Sequence, residues 1–252
     1  MQKIVALVFF ALLSTGLLAK TYSIFPDNDL WKEDVMDKSV ESKELFDKVC
    51  DTAAGLFRKI AEASNERIVV NKKWDDATVN ANVMRSGGVV TINMYGGLAR
   101  RPEIGAEGFA LVICHELGHA YGGYPYLRQY SKISAEGQAD YYGAKECQKD
   151  VLSLLKLETT NIPITNFMEQ TCLAINPDPA KVTVCTQSLA GGQELGNLLS
   201  VLKKEPTPSF ETPDLTIAAT TMTSYPKTVQ CRLDTYFNGT VGKDRPKCWF
   251  NK

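Results

Sequence analysis

Apolar side chains recur at helical spacing near the amino end of the chain and at strand spacing just after it. Residues 33–63 carry them near helical spacing among charges, which predicts a long amphipathic helix. The residues that set this pattern are Val35, Val40, Leu45, Val49, Leu56 and Ile60. Residues 68–70 predict a strand. Two extended pieces, 80–84 and 89–93, flank a glycine-containing turn and predict a hairpin over residues 80–95.

The second half of the chain is dominated by helical patterns. Residues 107–121 predict an apolar helix that ends at a segment rich in glycine and proline. Another helix is expected to begin near Ser134 and to continue past Asp150. Further helical segments alternate with proline-containing loops. We therefore expect a mostly helical α+β fold with a small sheet, in which residues 20–252 form a single unit.

The first nineteen residues are typical of a secretory signal peptide. Lys3 precedes an apolar run over residues 4–13, and the small residue Ala19 comes just before the polar chain begins. The run is shorter than the roughly 20 residues that span a bilayer. We therefore expect residues 1–19 to be removed and the protein to be exported, periplasmic or extracellular, without a stable membrane span. An uncleaved anchor is the alternative.

Seven cysteines lie beyond this segment, and an oxidising compartment would pair most of them. Sequence alone does not determine their connectivity, but short loops favour two pairs and leave a more distant third. The expected pairs are Cys172–Cys185, Cys231–Cys248 and Cys50–Cys147. Cys114 would then remain as a small buried thiol.

The composition excludes several functional classes. The chain has 252 residues, a net charge of −1, 44 % apolar residues and 23 % charged residues. These values are ordinary for a folded protein and unlike those of a disordered chain. The chain lacks the basic excess of nucleic-acid-binding modules, so we expect no nucleic-acid partner. It contains only two histidines, and this count constrains any metal site.

Both histidines belong to one motif, His-Glu-Leu-Gly-His at residues 115–119, within the apolar helix. Residues four apart share one face of a helix, so His115 and His119 can bind one Zn²⁺ together. Glu116 would then lie next to the water that the ion activates, where a carboxylate can take and return a proton.

A third protein ligand is needed, and it has to be a carboxylate or a cysteine because the chain has no third histidine. Glu136 follows at a distance that lets a second helix turn back towards the motif. Asp140 lies one helical turn further on the same face and would orient a ligand histidine through its free ring N–H. Glu146 and Cys147 are the weaker alternatives as ligands.

With these residues, the sequence resembles the gluzincin metallopeptidases and, among them, the HtpX and CAAX-prenyl-protease family. That family combines Asn-Ala in a strand, Gly-Leu before the metal helix, HExxH, and Glu-x-x-Ala-Asp. The matching segments are Asn80-Ala81, Gly97-Leu98, His115 to His119 and Glu136 to Asp140. The resemblance covers about residues 79–147 and implies a zincin-like domain with one Zn²⁺ per chain, held by His115, His119 and Glu136.

The resemblance also implies roles near the carboxyl end. The family has a His-Pro pair there, whose histidine helps to hold the transition-state oxyanion, and an arginine that supports the site. This chain has Tyr225 before Pro226, and Arg232 follows. Either the phenol of Tyr225 keeps the hydrogen-bonding role or the role is lost. Arg232 either supports the site or is a structural ion-pair partner.

These residues predict a secreted or periplasmic zinc-dependent endopeptidase in which Glu116 is the general base. We expect a protein or peptide substrate to add itself to an exposed edge of the strand at residues 89–95. The expected substrate-binding residues are Val90, Thr91, Ile92 and Asn93. The alternatives are a catalytically silent zincin-like protein with a binding or chaperone-like role, and a structural zinc site. The family's transmembrane helices are missing, so its CAAX substrate is not carried over.

Overall fold

The computed structural model describes residues 21–32, 42–128 and 132–251. Within these ranges the chain forms helices packed on a small four-stranded sheet, which confirms the expected α+β class. The predicted signal peptide, residues 1–19, lies outside the described residues.

The four strands lie in the spatial order β1-β3-β4-β2. Their bounds are β1 (Tyr22–Ser23), β2 (Arg67–Lys73), β3 (Ala81–Ser86) and β4 (Val89–Tyr95). β3 pairs antiparallel with both β1 and β4, whereas β2 is parallel to β4. The structure thus confirms the predicted strand and hairpin, and it adds β1, whose two residues carry no recognisable alternation.

Two glycines close the hairpin between β3 and β4. Gly87 and Gly88 have φ angles of 57° and 73°, which glycine adopts without the steric strain of a Cβ atom. Consecutive positive φ angles give a turn whose twist matches that of the flanking strands. Val90, Ile92 and Met94 alternate along β4 and are fully buried, so one face of the sheet packs against the helices.

The prediction that residues 89–95 form an exposed edge is wrong. β4 lies between β3 and β2, and Val90 is paired with Arg85 on one side and Ile68 on the other. The residues expected to bind substrate therefore lie in an inner strand, and they are Val90, Thr91, Ile92 and Asn93. The parallel partner, β2, precedes the hairpin in sequence, so no pattern within the hairpin could indicate that β2 pairs with the other side of β4.

Of the helix predicted over residues 33–63, the described part forms α1 (Lys43–Ala63). Ser42 has extended backbone angles and its side-chain oxygen accepts a hydrogen bond from the Leu45 N–H at 3.1 Å, so it caps the helix. Residues 33–41, the start of the predicted helix, lie outside the described residues. The apolar face of α1 contacts the core through Phe46, Val49, Cys50, Ala53, Phe57 and Ala61.

The remaining helices form most of the chain after the sheet. Their bounds are α2 (Gly96–Ala99), α3 (Ala106–Tyr121), α4 (Glu136–Tyr142), α5 (Gln148–Leu155), α6 (Asn166–Ile175), α7 (Pro179–Lys203) and α8 (Val229–Val241). A π-helical turn, Gly143–Cys147, joins α4 to α5. The predicted helix after Ser134 is therefore confirmed with this one interruption. None of the helices within the described ranges is long and apolar enough to cross a membrane.

Helix α3 lies at the centre of the fold. Every residue from Ala106 to Ala120 is buried, because α1, α4, α7 and β3 all pack against it. A helix that is apolar on nearly all sides is stable only inside a core. The polar residues of α3 are therefore shielded from water and depend on protein partners or a bound ligand.

Three disulfides link described residues, and they are Cys114–Cys147, Cys172–Cys185 and Cys231–Cys248. The last two confirm the short-loop predictions. The predicted pair of Cys50 with Cys147 is wrong, since Cys147 bonds Cys114 and Cys50 is a free, buried thiol on α1. The Cα atoms of Cys114 and Cys147 lie 5.6 Å apart, a separation that depends on how α3 packs on the π-helical turn.

Two carboxyl groups are buried together between α3 and α7. Glu107 is 1 % exposed and Glu194 is 0 % exposed. One oxygen of Glu194 accepts hydrogen bonds from the N–H groups of Gly105 and Gly108, each at 2.8 Å. Burial raises the pKa of Glu107 to about 7. Burial and the charge of Glu107 raise the pKa of Glu194 to about 8, so this pair binds protons more tightly than an unfolded chain would.

We predict that this pair makes the protein less stable as the pH rises from about 4.5 to about 8. The folded-state pKa values lie above the unfolded value, so the stabilisation is complete below the unfolded pKa and is lost as the pH rises through the folded values. Glu194→Gln stays neutral and can still accept both N–H bonds. The substitution should reduce the loss of unfolding free energy over this pH range by about 3 kcal/mol.

Urea unfolding at pH 5 and pH 8 measures this effect, with Glu169→Gln as the control because Glu169 is exposed. The prediction fails if Glu194→Gln and the wild type lose the same stability between the two pH values.

Candidate metal centre

The two histidines of α3 face the same point inside the protein. His115 and His119 are both fully buried, and their ring centroids lie 4.6 Å apart at a steep angle. The Nε2 atom of each ring is buried without a hydrogen-bond partner among the described residues. Unpartnered buried nitrogen atoms are costly, so their occurrence as a pair indicates a binding site.

The other nitrogen of each ring is fixed by a hydrogen bond. His115 Nδ1 donates to an oxygen of Asp140 at 2.7 Å. His119 Nδ1 donates to the main-chain carbonyl of Ser134 at 2.8 Å. These bonds set the ring orientations and leave Nε2 as the atom available to a metal ion, which is the usual arrangement for histidine ligands.

The carboxylate of Glu136 completes the group. Its two oxygens lie 3.5 Å from His115 Nε2 and 3.6 Å from His119 Nε2, and the oxygen facing His115 has no hydrogen-bond partner among the described residues. Each separation is close to the roughly 3.4 Å between two atoms that bind the same zinc ion, although the two distances involve different oxygens of Glu136. The group of His115, His119 and Glu136 could therefore hold a metal ion.

Small residues let the two helices approach closely enough for this arrangement. A Cβ atom at Gly118 would lie 2.6 Å from the Ala139 carbonyl oxygen. A Cβ atom at Gly143 would lie 2.9 Å from the His115 main-chain nitrogen. Glycine at both positions lets α4 and the π-helical turn pack directly on α3, which brings Glu136 against the histidines.

Behind His115 lies a buried ion pair. Asp140 accepts hydrogen bonds from Arg232 Nε at 2.8 Å and from Arg232 Nη2 at 2.6 Å, and both side chains are buried. Although burial alone would raise it, Arg232 and His115 hold the pKa of Asp140 well below its ordinary value. Arg232 is therefore a partner of Asp140, one of the two roles that the sequence left open, and its bidentate geometry fixes Asp140 against His115.

The charges around His115, His119 and Glu136 favour the presence of a cation among them. Burial lowers the pKa of His115, but the charge and hydrogen bond of Asp140 outweigh this and raise the pKa to about 9. Burial likewise opposes ionisation of Glu136, but the two histidines lower its pKa to about 2. The site therefore keeps two ionised carboxylates around the ring nitrogens, which favours a bound cation.

Glu116 lies on α3 between His115 and His119 in sequence and is fully buried. Neither of its carboxylate oxygens has a hydrogen-bond partner among the described residues. Burial raises its pKa to about 7, and the neighbouring histidines moderate that rise. A carboxylate with two free oxygens in this position can accept a proton and pass it on.

Tyr225 reaches the same region from the segment before α8. Its hydroxyl donates to the carbonyl oxygen of Ser23 at 2.6 Å. Burial raises the pKa of the Tyr225 phenol, and the charge of Glu136 raises it further. Tyr225 therefore stays protonated and lies close enough to Glu136 for their charges to interact.

The structure thus brings His115, Glu116, His119, Glu136 and Asp140 together, with Tyr225 and Arg232 beside them. The two alternative ligands do not join the group. Glu146 is 49 % exposed and pairs with Lys145 at 3.5 Å, while Cys147 is bonded to Cys114.

Sequence reasoning missed two contributors to the site. Ser134 acts through its main-chain carbonyl, for which no side-chain signal exists. The Tyr22 ring lies 6.3 Å from the His119 ring, measured between centroids, and its strand is too short to predict.

No protein-family model, curated protein or solved structure matches this chain. The chemistry of the site is therefore inferred from its own geometry.

We predict that Asp140→Asn weakens metal binding and destabilises the fold. The amide keeps the shape of the side chain but leaves Arg232 without its anion and His115 without a charged acceptor. Loss of an orienting carboxylate lowers metal affinity by about 10–100-fold, and breaking a buried ion pair costs about 3–5 kcal/mol. Competition titration with Zn²⁺ as the probe, together with thermal unfolding, measures both effects.

Asp150→Asn is the matched control because Asp150 is exposed, and it should change neither quantity. Zn²⁺ affinity equal to that of the wild type in folded Asp140→Asn would refute the orienting role.

Proposed function

We propose that the protein is a zinc-dependent endopeptidase. The observation that carries this proposal is the set of unpartnered buried atoms: the Nε2 atoms of His115 and His119, one oxygen of Glu136, and both oxygens of Glu116. Two histidines and one carboxylate are a ligand set of catalytic zinc sites, which keep a further position open. A structural site would more often use four protein ligands, and the nearby Cys114 is already in a disulfide.

Bound Zn²⁺ would activate a water molecule and polarise the scissile carbonyl. The protein's own groups would carry out the proton transfers. Glu116 would take the proton of the attacking water on one of its free oxygens and would later deliver it to the leaving amine. His115 and His119 would be held in position by Asp140 and by the Ser134 carbonyl throughout.

The phenol of Tyr225 would donate a hydrogen bond to the oxyanion that develops from the scissile carbonyl. Two features support this role: the hydroxyl is protonated, and it already donates to a main-chain carbonyl, that of Ser23. Arg232 would act indirectly, through Asp140. We infer a gluzincin-like enzyme from the spacing of these residues, and the three disulfides are compatible with the proposed export to an oxidising compartment.

The second candidate is a zincin-like binding protein without turnover. The observation that favours it is that the Ser23 carbonyl occupies the Tyr225 hydroxyl, so this donor is not free for a substrate. The buried and unpartnered carboxylate of Glu116 favours the enzyme instead, because a silent site has no use for a buried free base.

We predict that Glu116→Gln abolishes cleavage of an unstructured protein such as casein while zinc still binds at one ion per chain. The amide cannot accept the proton of the attacking water, whereas the ligand atoms are unchanged. Zinc content by mass spectrometry and the rate of casein cleavage measure the two effects.

Glu146→Gln is the matched control, since Glu146 lies 49 % exposed and away from the site. It should cleave as the wild type does. Full cleavage by Glu116→Gln would exclude the general-base role, and a wild type that binds no zinc would exclude the whole proposal.

We also predict that Tyr225→Phe lowers kcat about 100-fold with little change in KM or zinc content. Removal of one oxyanion donor typically has an effect of about this size, because the donor acts mainly in the transition state. Tyr124→Phe, at a residue that is 67 % exposed, serves as the control. An unchanged kcat in Tyr225→Phe would leave the phenol without a catalytic role.

A further inference from the structure

The outer edge of β3 is covered by the chain's own amino-terminal segment. Tyr22 is paired with Val83 and Ser23 with Asn82, in an antiparallel arrangement. The ladder continues with a hydrogen bond from the Ile24 N–H to the Ala81 carbonyl at 3.2 Å. Residues 22–24 thus lie on β3 as an added strand, which is how a bound peptide extends a sheet.

The same three residues contact the candidate metal centre. The Tyr22 ring lies beside the ring of His119. The carbonyl of Ser23 accepts from the Tyr225 hydroxyl at 2.6 Å, and the carbonyl of Ile24 accepts from Arg232 Nη1 at 2.9 Å. Two successive main-chain carbonyls are therefore bound by two side chains of the site, and one of them uses the donor that we assign to the oxyanion.

The segment is held unequally along its length. Ile24 and Phe25 are buried, and Phe25 exchanges two hydrogen bonds with the Asn80 side chain, at 3.2 and 3.1 Å. Tyr22 and Ser23 are only partly buried, and their strand is two residues long. Residues 24–25 are thus an anchor, whereas Tyr22, which packs on the edge of the core, and Ser23 are held less tightly and can leave β3 first.

We propose that β1 is an internal inhibitor: Tyr22 and Ser23 occupy the place of an extended peptide substrate, and cleavage requires β1 to leave β3 while residues 24–25 stay anchored. This inference rests on the proposed peptidase function. It follows from the combination of an edge pairing, a ring against a ligand histidine, and the capture of the Tyr225 hydroxyl. A substrate can use the same edge and the same donor only when Ser23 has released them.

A reversible cross-link tests the proposal. Ile24 and Ala81 share a ladder hydrogen bond, so Ser23 and Asn82 form the adjacent pair without such a bond. The Cα atoms of such pairs are about 4.5 Å apart, within the range that a disulfide bridges. The variant Ser23→Cys/Asn82→Cys should form this bond. Its oxidised form should cleave casein at least about 50-fold more slowly than its reduced form, since a cross-linked strand is displaced negligibly.

Mild reduction also acts on native disulfides, so three controls receive the same treatment. In the wild type, Ser23→Cys and Asn82→Cys, the reductant should change the rate of casein cleavage to the same extent. None of these three should show the rise in cleavage rate that reduction gives in the double variant. Mass spectrometry before and after reduction shows which disulfides are present. An oxidised double variant that is cross-linked and cleaves as fast as its reduced form would overturn the proposal.

A second variant loosens the strand instead. Tyr22→Ala removes the ring beside His119 and should raise kcat/KM about tenfold, because a larger fraction of molecules would have β1 displaced. Trp31→Ala is the matched control, since Trp31 is an aromatic residue of the same segment that is 53 % exposed. A fall or no change in kcat/KM for Tyr22→Ala would count against inhibition by β1.

A binding measurement separates this inference from the proposed function. With Glu116→Gln added, the zinc-loaded double variant is titrated with a fluorescent unstructured peptide. The reduced form should bind it at least about tenfold more tightly than the oxidised form. If no variant cleaves casein although all bind zinc, the peptidase proposal fails, and this binding difference alone decides whether β1 blocks the edge. Equal binding by both forms would overturn the inference.

Discussion

The carboxylate of Asp140 joins the parts of the fold that surround the metal centre. It lies on α4, accepts a hydrogen bond from His115 on α3, and pairs with Arg232 on α8, which also donates to the carbonyl of Ile24. In a low dielectric each of these charges would be costly alone, so they are stable only together. α8 therefore cannot move without uncovering a charge, and His115 cannot rotate without losing its anion. The same electrostatic constraint fixes the packing of three helices and the direction of the His115 Nε2 atom.

The candidate metal centre could be predicted from the sequence because its side chains lie close together along the chain. His115 and His119 share a helix face because they are four residues apart. Since the chain has no third histidine, the third ligand had to be a carboxylate or a cysteine, and Glu136 follows at a suitable distance. The hairpin of β3 and β4 was equally local, since alternating apolar residues flank a pair of glycines. The apolar run over residues 107–121 likewise predicted the helix that the structure shows as α3. In each case a pattern within about twenty residues contained the information.

The errors concern contacts between segments that are distant in sequence. The parallel pairing of β2 with β4 makes an inner strand of residues 89–95, although hairpin patterns suggested an edge. The cross-link of Cys114 to Cys147 depends on the packing of α3 against a π-helical turn. The roles of Ser134 and of the Ser23 carbonyl lie in main-chain oxygens, which every residue carries. Sequence patterns report side-chain type and spacing, so they cannot single out such atoms.

The disulfide between Cys114 and Cys147 also encloses the candidate centre. All three possible ligands, and Asp140 with them, lie between these two cysteines in sequence, inside a covalent ring whose ends are 33 residues apart. Closing a loop of this length removes about 4 kcal/mol of chain entropy from the unfolded state, on a loop-entropy model. If the other helices separate, the disulfide therefore still keeps the side chains that could hold a metal ion close to one another in the chain. Because the disulfide closes this loop, the side chains of the candidate centre have to search only a short distance to come together again. Their effective concentration is therefore higher than in a chain without the disulfide.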